Sequence, residues 1–281
     1  MMNILIVHGI GNYSPSLAAD KAADLLKETW SRDLHEGASS GNGDDFNFSV
    51  SVSYYAHALR DSNAQGVASD ARFNDDEARL FLAWADAYGI PREHAQGLAT
   101  LPFRQIISWL SSKEGRATDA MTSLVIRFIR EVNQYFTSES KRHKVRSLVE
   151  DDINSKHPDL IIAHSLGSVV AYEALWNSGY PVERMLTVGS PLGLRGGIFD
   201  RVVPGPVEGL GRRPDRVSQW LNVSDRGDIV AVPRLLSRSY IGIGVDRETS
   251  IGLFAFHGLS KYLRSRDVYQ LIRFGDVTVR D

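Results

Sequence analysis

Residues 158–176 read Pro158-Asp159-Leu160-Ile161-Ile162-Ala163-His164-Ser165-Leu166-Gly167-Ser168-Val169-Val170-Ala171-Tyr172-Glu173-Ala174-Leu175-Trp176. An apolar run of strand type stops at the tight His164-Ser165-Leu166-Gly167 turn, and small residues then recur at Gly167, Ala171 and Ala174 with helical spacing. The segment is a strand, an elbow and a helix. A serine on such a turn is held in a strained backbone geometry that pushes its oxygen off the end of a sheet. The helix that follows points its positive N-terminus at the same spot. Ser165 therefore occupies the place of an acyl-transfer nucleophile.

Upstream, Asn3 to Val7 is a short β-branched apolar run ending at His8-Gly9-Ile10-Gly11, the profile of a buried strand and a turn. Leu17, Ala18, Ala22, Leu25, Leu26 and Trp30 then follow with helical spacing, with Ser14 or Ser16 as the expected cap beside Pro15. The glycine-rich stretch from Glu36 to Asp45 is expected to be a loop, and the strict alternation from Phe46 to Tyr54 a second strand. Residues 61–155 turn mostly helical, with candidate helices at Ala78–Tyr88, Phe103–Leu110, Thr118–Phe136 and Ser138–Ile153. In the third, Met121, Leu124, Val125, Phe128, Ile129 and Val132 define a face that must be buried. This insertion either caps the site or covers the sheet as crossover helices do, and the helix from Ser138 feeds the elbow strand directly.

Downstream, strand-like runs at Arg184–Val188 and Trp220–Val223 end at Gly189-Ser190-Pro191-Leu192-Gly193 and at Ser224-Asp225-Arg226-Gly227-Asp228-Ile229-Val230. Between them Gly193–Pro214 reads as a long loop of a functional or mobile kind. Tyr240–Phe256 ends at His257-Gly258, and Asp267–Phe274 closes the chain as a short helix. The pattern predicts an α/β fold over residues 1–281: a mostly parallel sheet covered by helices on both faces, in one domain with a helical insertion before the elbow strand.

Composition narrows the partners. The 281 residues carry a formal net charge of −2, which favours neither nucleic acid nor an anionic membrane surface. The absence of cysteine excludes disulfides, thiolate metal sites and a cysteine nucleophile. The other histidines, His35, His57, His94, His143 and His157, lack metal-ligand spacing, and Gly242 with Gly244 makes no dinucleotide fingerprint, so no metal or cofactor is expected. No apolar run nears the roughly 20 residues that span a bilayer. Met1–Val7 lacks a basic leader, so a cytoplasmic protein is expected.

A nucleophile turn at Ser165, an acidic turn at Asp225 or Asp228 and His257 each follow a strand-like run. In an open α/β sheet such residues converge at one edge. With the His8-Gly9-Ile10-Gly11 turn, the set resembles the α/β-hydrolase superfamily, in its lipase and serine-esterase branch. The resemblance covers 3–13, 158–193 and 218–260, with Ala163 standing where the family's elbow has its first glycine. It implies an α/β-hydrolase fold and a serine hydrolase cleaving carboxylic esters of small-molecule or lipid type through an acyl-enzyme. It further implies Ser165 as nucleophile, His257 as general base and Asp228 as the acid that orients it. The N–H groups of Ile10 and Leu166 would form the oxyanion hole, with His8, Gly9, Gly11 and Gly167 supporting the turns.

Other readings stay open. Asp225 is expected to form the turn by bonding its own backbone. His164 reads as a turn residue and not a base. Arg212-Arg213 could meet an anionic substrate or simply be solvated. The clusters Leu80-Phe81-Leu82-Trp84 and Leu101–Leu110 can line an acyl pocket or serve as core. The same machinery suits a peptidase or thioesterase, and a non-catalytic binding protein on the fold is the contrasting class.

Overall fold

Along the first strand Ile4 and Ile6 face one side and Leu5 and Val7 the other, and all four are buried. Both faces of the sheet are therefore covered, as an uninterrupted apolar strand requires. In the computed structural model, which describes residues 1–40, 46–60, 73–90, 118–251 and 257–275, these are β1 (Met2–Val7), β2 (Phe48–Ser53), β3 (Leu160–His164), β4 (Val182–Val188), β6 (Val217–Asp225) and β8 (Ile243–Thr249). They pair in the order β2-β1-β3-β4-β6-β8, every pairing parallel. β5 (Gly211–Arg212) and β7 (Tyr240–Ile241) form a separate parallel ribbon.

On one face, α1 (Ala19–Ser40), α7 (Leu259–Leu263) and α8 (Arg266–Phe274) pack Trp30, Leu34, Leu263, Val268 and Leu271 against Ile4, Ile6, Leu160, Ile162, Leu186 and Leu221. On the other lie α2 (Ala56–Leu59), α3 (Asp75–Tyr88), α4 (Thr118–Thr137), α5 (Glu139–Lys156) and α6 (Leu166–Asn177), over Leu5, Val7, Ile161, Ala163, Met185 and Trp220. The α4 stripe buries Met121, Val125, Phe128, Ile129 and Val132 as its period demands. Among the described residues of the insertion, α5 covers β1 and β2 as a crossover helix, and Leu80, Phe81 and Trp84 of α3 belong to the sheet core. Trp84 also ties α3 to the acidic turn, donating its indole N–H to the Ile229 carbonyl at 2.7 Å. Leu82 is exposed, and the stretch Leu101–Leu110 lies outside the described residues.

Three local expectations are corrected. The first helix starts at Ala19, so neither Ser14 nor Ser16 caps it, and it runs on to Ser40, over the first part of the expected loop Glu36–Asp45, because Leu34 and Gly37 pack against the C-terminal helices; residues 41–45 lie outside the described residues. The segment Gly193–Pro214 is no loose loop: Leu194, Ile198, Phe199 and Val202 are buried, Phe199–Arg201 forms a 3-10 turn, and Gly211–Arg212 pairs as a strand. Short α7 carries no clear period in sequence and was not expected. Among the described residues, no helix is long and apolar enough to cross a membrane.

From β1 the chain moves outward to β2, then crosses back through α5 to β3 on the other side of β1. The winding direction reverses between β1 and β3, and in open parallel sheets ligands bind in the crevice outside such a reversal. The turn after β1 carries His8–Gly11, and the turn after β3 carries Ser165.

Candidate active site

Ser165 sits at φ 55°, ψ −132°, a left-handed conformation that costs a β-carbon residue about 1–3 kcal/mol. Several bonds hold it there. Its N–H donates to the Val188 carbonyl at 3.2 Å. Ser190 Oγ lies 2.7 Å from Ser168 Oγ, which donates to the Ser165 carbonyl at 2.6 Å. Close approach then sets the elbow against β1. A Cβ at Gly167 would stand 2.2 Å from the His8 carbonyl oxygen, and one at Gly9 would stand 2.5 Å from Ser165 Cβ. Only glycine lets the two turns touch.

Across the elbow, His257 Nδ1 lies 2.8 and 2.7 Å from the two oxygens of Asp228, and both side chains are buried. An ionised carboxylate only accepts, so this contact places the proton on Nδ1 and leaves Nε2 with a free lone pair. Asp228 is held in turn by the N–H groups of Val230 and Ala231, at 2.8 and 3.2 Å, and by the Tyr262 hydroxyl at 2.9 Å. Asp225 is spent otherwise: its carboxylate accepts the Ile251 N–H and its carbonyl accepts the Asp228 N–H. Of the two acids, the structure brings Asp228 to His257. His164 packs its ring 4.5 Å from that of His257, and burial holds its pKa well below the ordinary imidazole value, so it stays neutral.

Ser165 Oγ and His257 Nε2 are both buried and neither has a hydrogen-bond partner. They do not bond to each other here. Two unsatisfied polar atoms this deep are costly unless something completes them.

The chain matches no family model, curated protein or solved structure. What this site can do rests on its own geometry.

The turn after β1 is built to keep its shape. His8 Nε2 accepts the Tyr55 N–H at 3.1 Å and Nδ1 donates to the Gly9 carbonyl at 2.8 Å. The ring stacks on Tyr55 at 4.1 Å, and the Tyr55 hydroxyl donates to the His8 carbonyl at 2.7 Å. Burial lowers the His8 pKa to about 4, so it is a neutral brace. Asn12 donates to the carbonyls of Gly9 and Ile10, while Gly11 donates its N–H to both oxygens of Glu131, at 3.1 and 3.2 Å. With these groups occupied, the turn presents Ile10 to a cleft of about 280 Å³, whose described lining is Ile10, Ala120, Leu124, Arg127, His257 and Gly258. Leu166 opens α6, where first-turn N–H groups have no intrahelical acceptor.

Tyr262, Tyr55, Glu131 and Arg127 carry the site without any sequence signal for it, because each arrives from a helix or turn whose placement is tertiary. The Tyr262 position, five residues after His257, is the nearest to a clue. Arg212 and Arg213 are not in the cleft: Arg212 lies over the Trp176 ring, and Arg213 bonds the Gly242 carbonyl.

Proposed function

We propose that this chain is a serine hydrolase of the α/β-hydrolase type, cleaving carboxylic esters through an acyl-enzyme on Ser165. The observation that carries this reading is the pair of buried, unpartnered atoms, Ser165 Oγ at the reversal point of a parallel sheet and His257 Nε2 on a ring 4.5 Å from that of His164, the residue before Ser165. A substrate carbonyl seated between them gives both a role.

His257 Nε2 takes the proton of Ser165 Oγ as that oxygen attacks the carbonyl. The imidazolium that forms is stabilised through Nδ1–H by Asp228, whose charge Tyr262 and the N–H groups of Val230 and Ala231 hold in place. The oxyanion is received by the N–H groups of Ile10 and Leu166, aided by the N-terminus of α6. His257 then protonates the departing alkoxide, and water repeats the sequence on the acyl-enzyme with the same base.

The test is labelling with a fluorophosphonate probe and turnover of nitrophenyl esters of rising chain length, beside Ser165→Ala and His257→Ala. Labelling confined to Ser165 and turnover lost in both variants is the expected result. A wild-type protein that neither labels nor exceeds the Ser165→Ala control overturns the reading.

A further inference from the structure

We propose that Arg127 reads an oxyanion on the substrate, so that the cleft takes small esters bearing a carboxylate or phosphate group; this rests on the serine-hydrolase reading. Ala120, Leu124, Arg127 and Glu131 follow one another at spacings of four, three and four residues on α4 and so share one face of the helix. That face is distinct from the buried stripe of Met121, Val125, Phe128, Ile129 and Val132. Ala120, Leu124 and Arg127 line the cleft together with His257 and Ile10. Apolar surface and one cation are thus presented beside the candidate base.

The guanidinium lies against the oxyanion turn, its Nη1 2.6 Å from where a Cβ on Gly11 would stand. Both oxygens of Glu131, the carboxylate that attracts it, accept the Gly11 N–H. Among the described residues, Arg127 is drawn to Glu131 electrostatically but makes no hydrogen bond to it and no ion pair within 4.0 Å, so its donors stay open to a ligand. Arg60, over the Tyr13 ring at 4.8 Å, is the second cation felt by Glu131. Two guanidinium groups face one carboxylate, whose ionisation burial already resists. A half-buried guanidinium has lost part of its water and offers a planar fork of donors, which a carboxylate or phosphate fills in bidentate fashion. A cleft of about 280 Å³ lies at the low end of ligand-site sizes, which suits a short charged acid or alcohol over a long acyl chain.

Two measurements decide the proposal. First, kcat/KM is compared for 4-nitrophenyl hydrogen glutarate and its neutral methyl ester, and for 4-carboxyphenyl acetate and phenyl acetate. These pairs put the charge on the acyl and alcohol sides respectively. Wild type should prefer the charged member of at least one pair by about tenfold, with Arg127→Gln losing that ratio and Arg127→Lys keeping part of it. Thermal unfolding of Arg127→Gln beside wild type checks its fold. Equal ratios in wild type and Arg127→Gln overturn the proposal.

Second, binding of monomethyl glutarate and of inorganic phosphate to Ser165→Ala is titrated by calorimetry, with and without Arg127→Gln. A loss of about tenfold or more in the double variant supports the oxyanion site, and the tighter probe tells carboxylate from phosphate. No binding of either probe, or binding indifferent to Arg127, overturns it. If wild type is neither labelled nor active, the hydrolase reading fails alone, and this second measurement still decides the role of Arg127.

Discussion

The Tyr262 hydroxyl donates to Asp228 Oδ2 at 2.9 Å while accepting the Asp225 N–H at 2.9 Å. One side chain from α7 thus ties the carboxylate facing His257 to the end of β6. Burial and the neighbouring Asp228 push the phenol pKa well above its ordinary value, so it remains a donor. We expect Tyr262→Phe to lower kcat by about tenfold with little change in KM, since a hydrogen bond to a charged group is worth about 1.5–3 kcal/mol. It should also lower the unfolding free energy, because the Asp225 N–H loses its acceptor. Steady-state kinetics and a urea titration on one preparation check both parts.

The two acids should separate cleanly. Asp228→Asn presents an amide to His257, favours the wrong tautomer, and is expected to reduce kcat by about 10⁴. Asp225→Asn changes a turn and should leave kcat within a few-fold. Loss of turnover in Asp225→Asn with Asp228→Asn unaffected would reverse the assignment.

Strain at the elbow predicts a stability difference that activity does not report. Ser165→Gly relieves the positive φ, whereas Ser165→Ala retains it. Both should be inactive, and Ser165→Gly should be the more stable by about 1 kcal/mol, after the backbone entropy of glycine offsets part of the relief. Equal melting temperatures would show that the elbow stores no strain.

Acidification tests the braces of the turn after β1, and the signs oppose. Burial lowers His8 to about 4, so between its ordinary 6.5 and 4 the unfolded chain binds more protons and stability falls as pH falls, by about 3 kcal/mol at most. His164, lowered by burial, acts in the same direction. Glu131 is raised to about 7, chiefly by burial and against the pull of the Gly11 N–H, Arg127 and Arg60. Between 4.5 and 7 the folded chain binds more protons, and stability rises as pH falls. The Tyr55 hydroxyl, which faces the same carboxylate, is held protonated by burial. Glu131→Gln should therefore lose stability more steeply than wild type between pH 7 and 5, and His8→Gln less steeply. Thermal unfolding at half-unit pH intervals would show it.

On the far side of α6, buried Glu173 joins Arg142 of α5, the Tyr135 hydroxyl of α4 and the Val203 N–H of the 193–214 segment. Glu173→Leu alone should cost about 3–5 kcal/mol by stranding Arg142, while Glu173→Leu with Arg142→Leu should cost much less. Denaturant unfolding of the single and double variants measures the coupling.

The sheet and the elbow were legible because their signals are local. Leu160–Ala163 and Asn3–Val7 are apolar on both faces, which only a covered parallel strand satisfies, and Gly167 marks where a helix must approach a backbone. Ser165, His257 and the alternatives Asp225 and Asp228 could be named because each follows a strand. Between the two acids, the order of residues offers only the resemblance, which implies Asp228, and the reading of Asp225 as a turn former. The extent of α1 and the packing of Gly193–Pro214 escape the sequence because glycine with serine in the first, and glycine, proline and arginine in the second, outweigh periodicity along the chain, while burial outweighs them in the fold.

By itself, the order of residues determined the alternation of strands and helices, the strained serine turn and the candidate chemistry, since these follow from hydrophobic period and turn geometry within a few residues. Only the tertiary structure decided that Asp228 and not Asp225 meets His257, that Tyr262 and Glu131 hold the two turns, and that Arg127 enters the cleft. Those depend on side-chain contacts between residues 29 to 120 positions apart, whose distances are set by how helices pack on the sheet and leave no periodic trace along the chain.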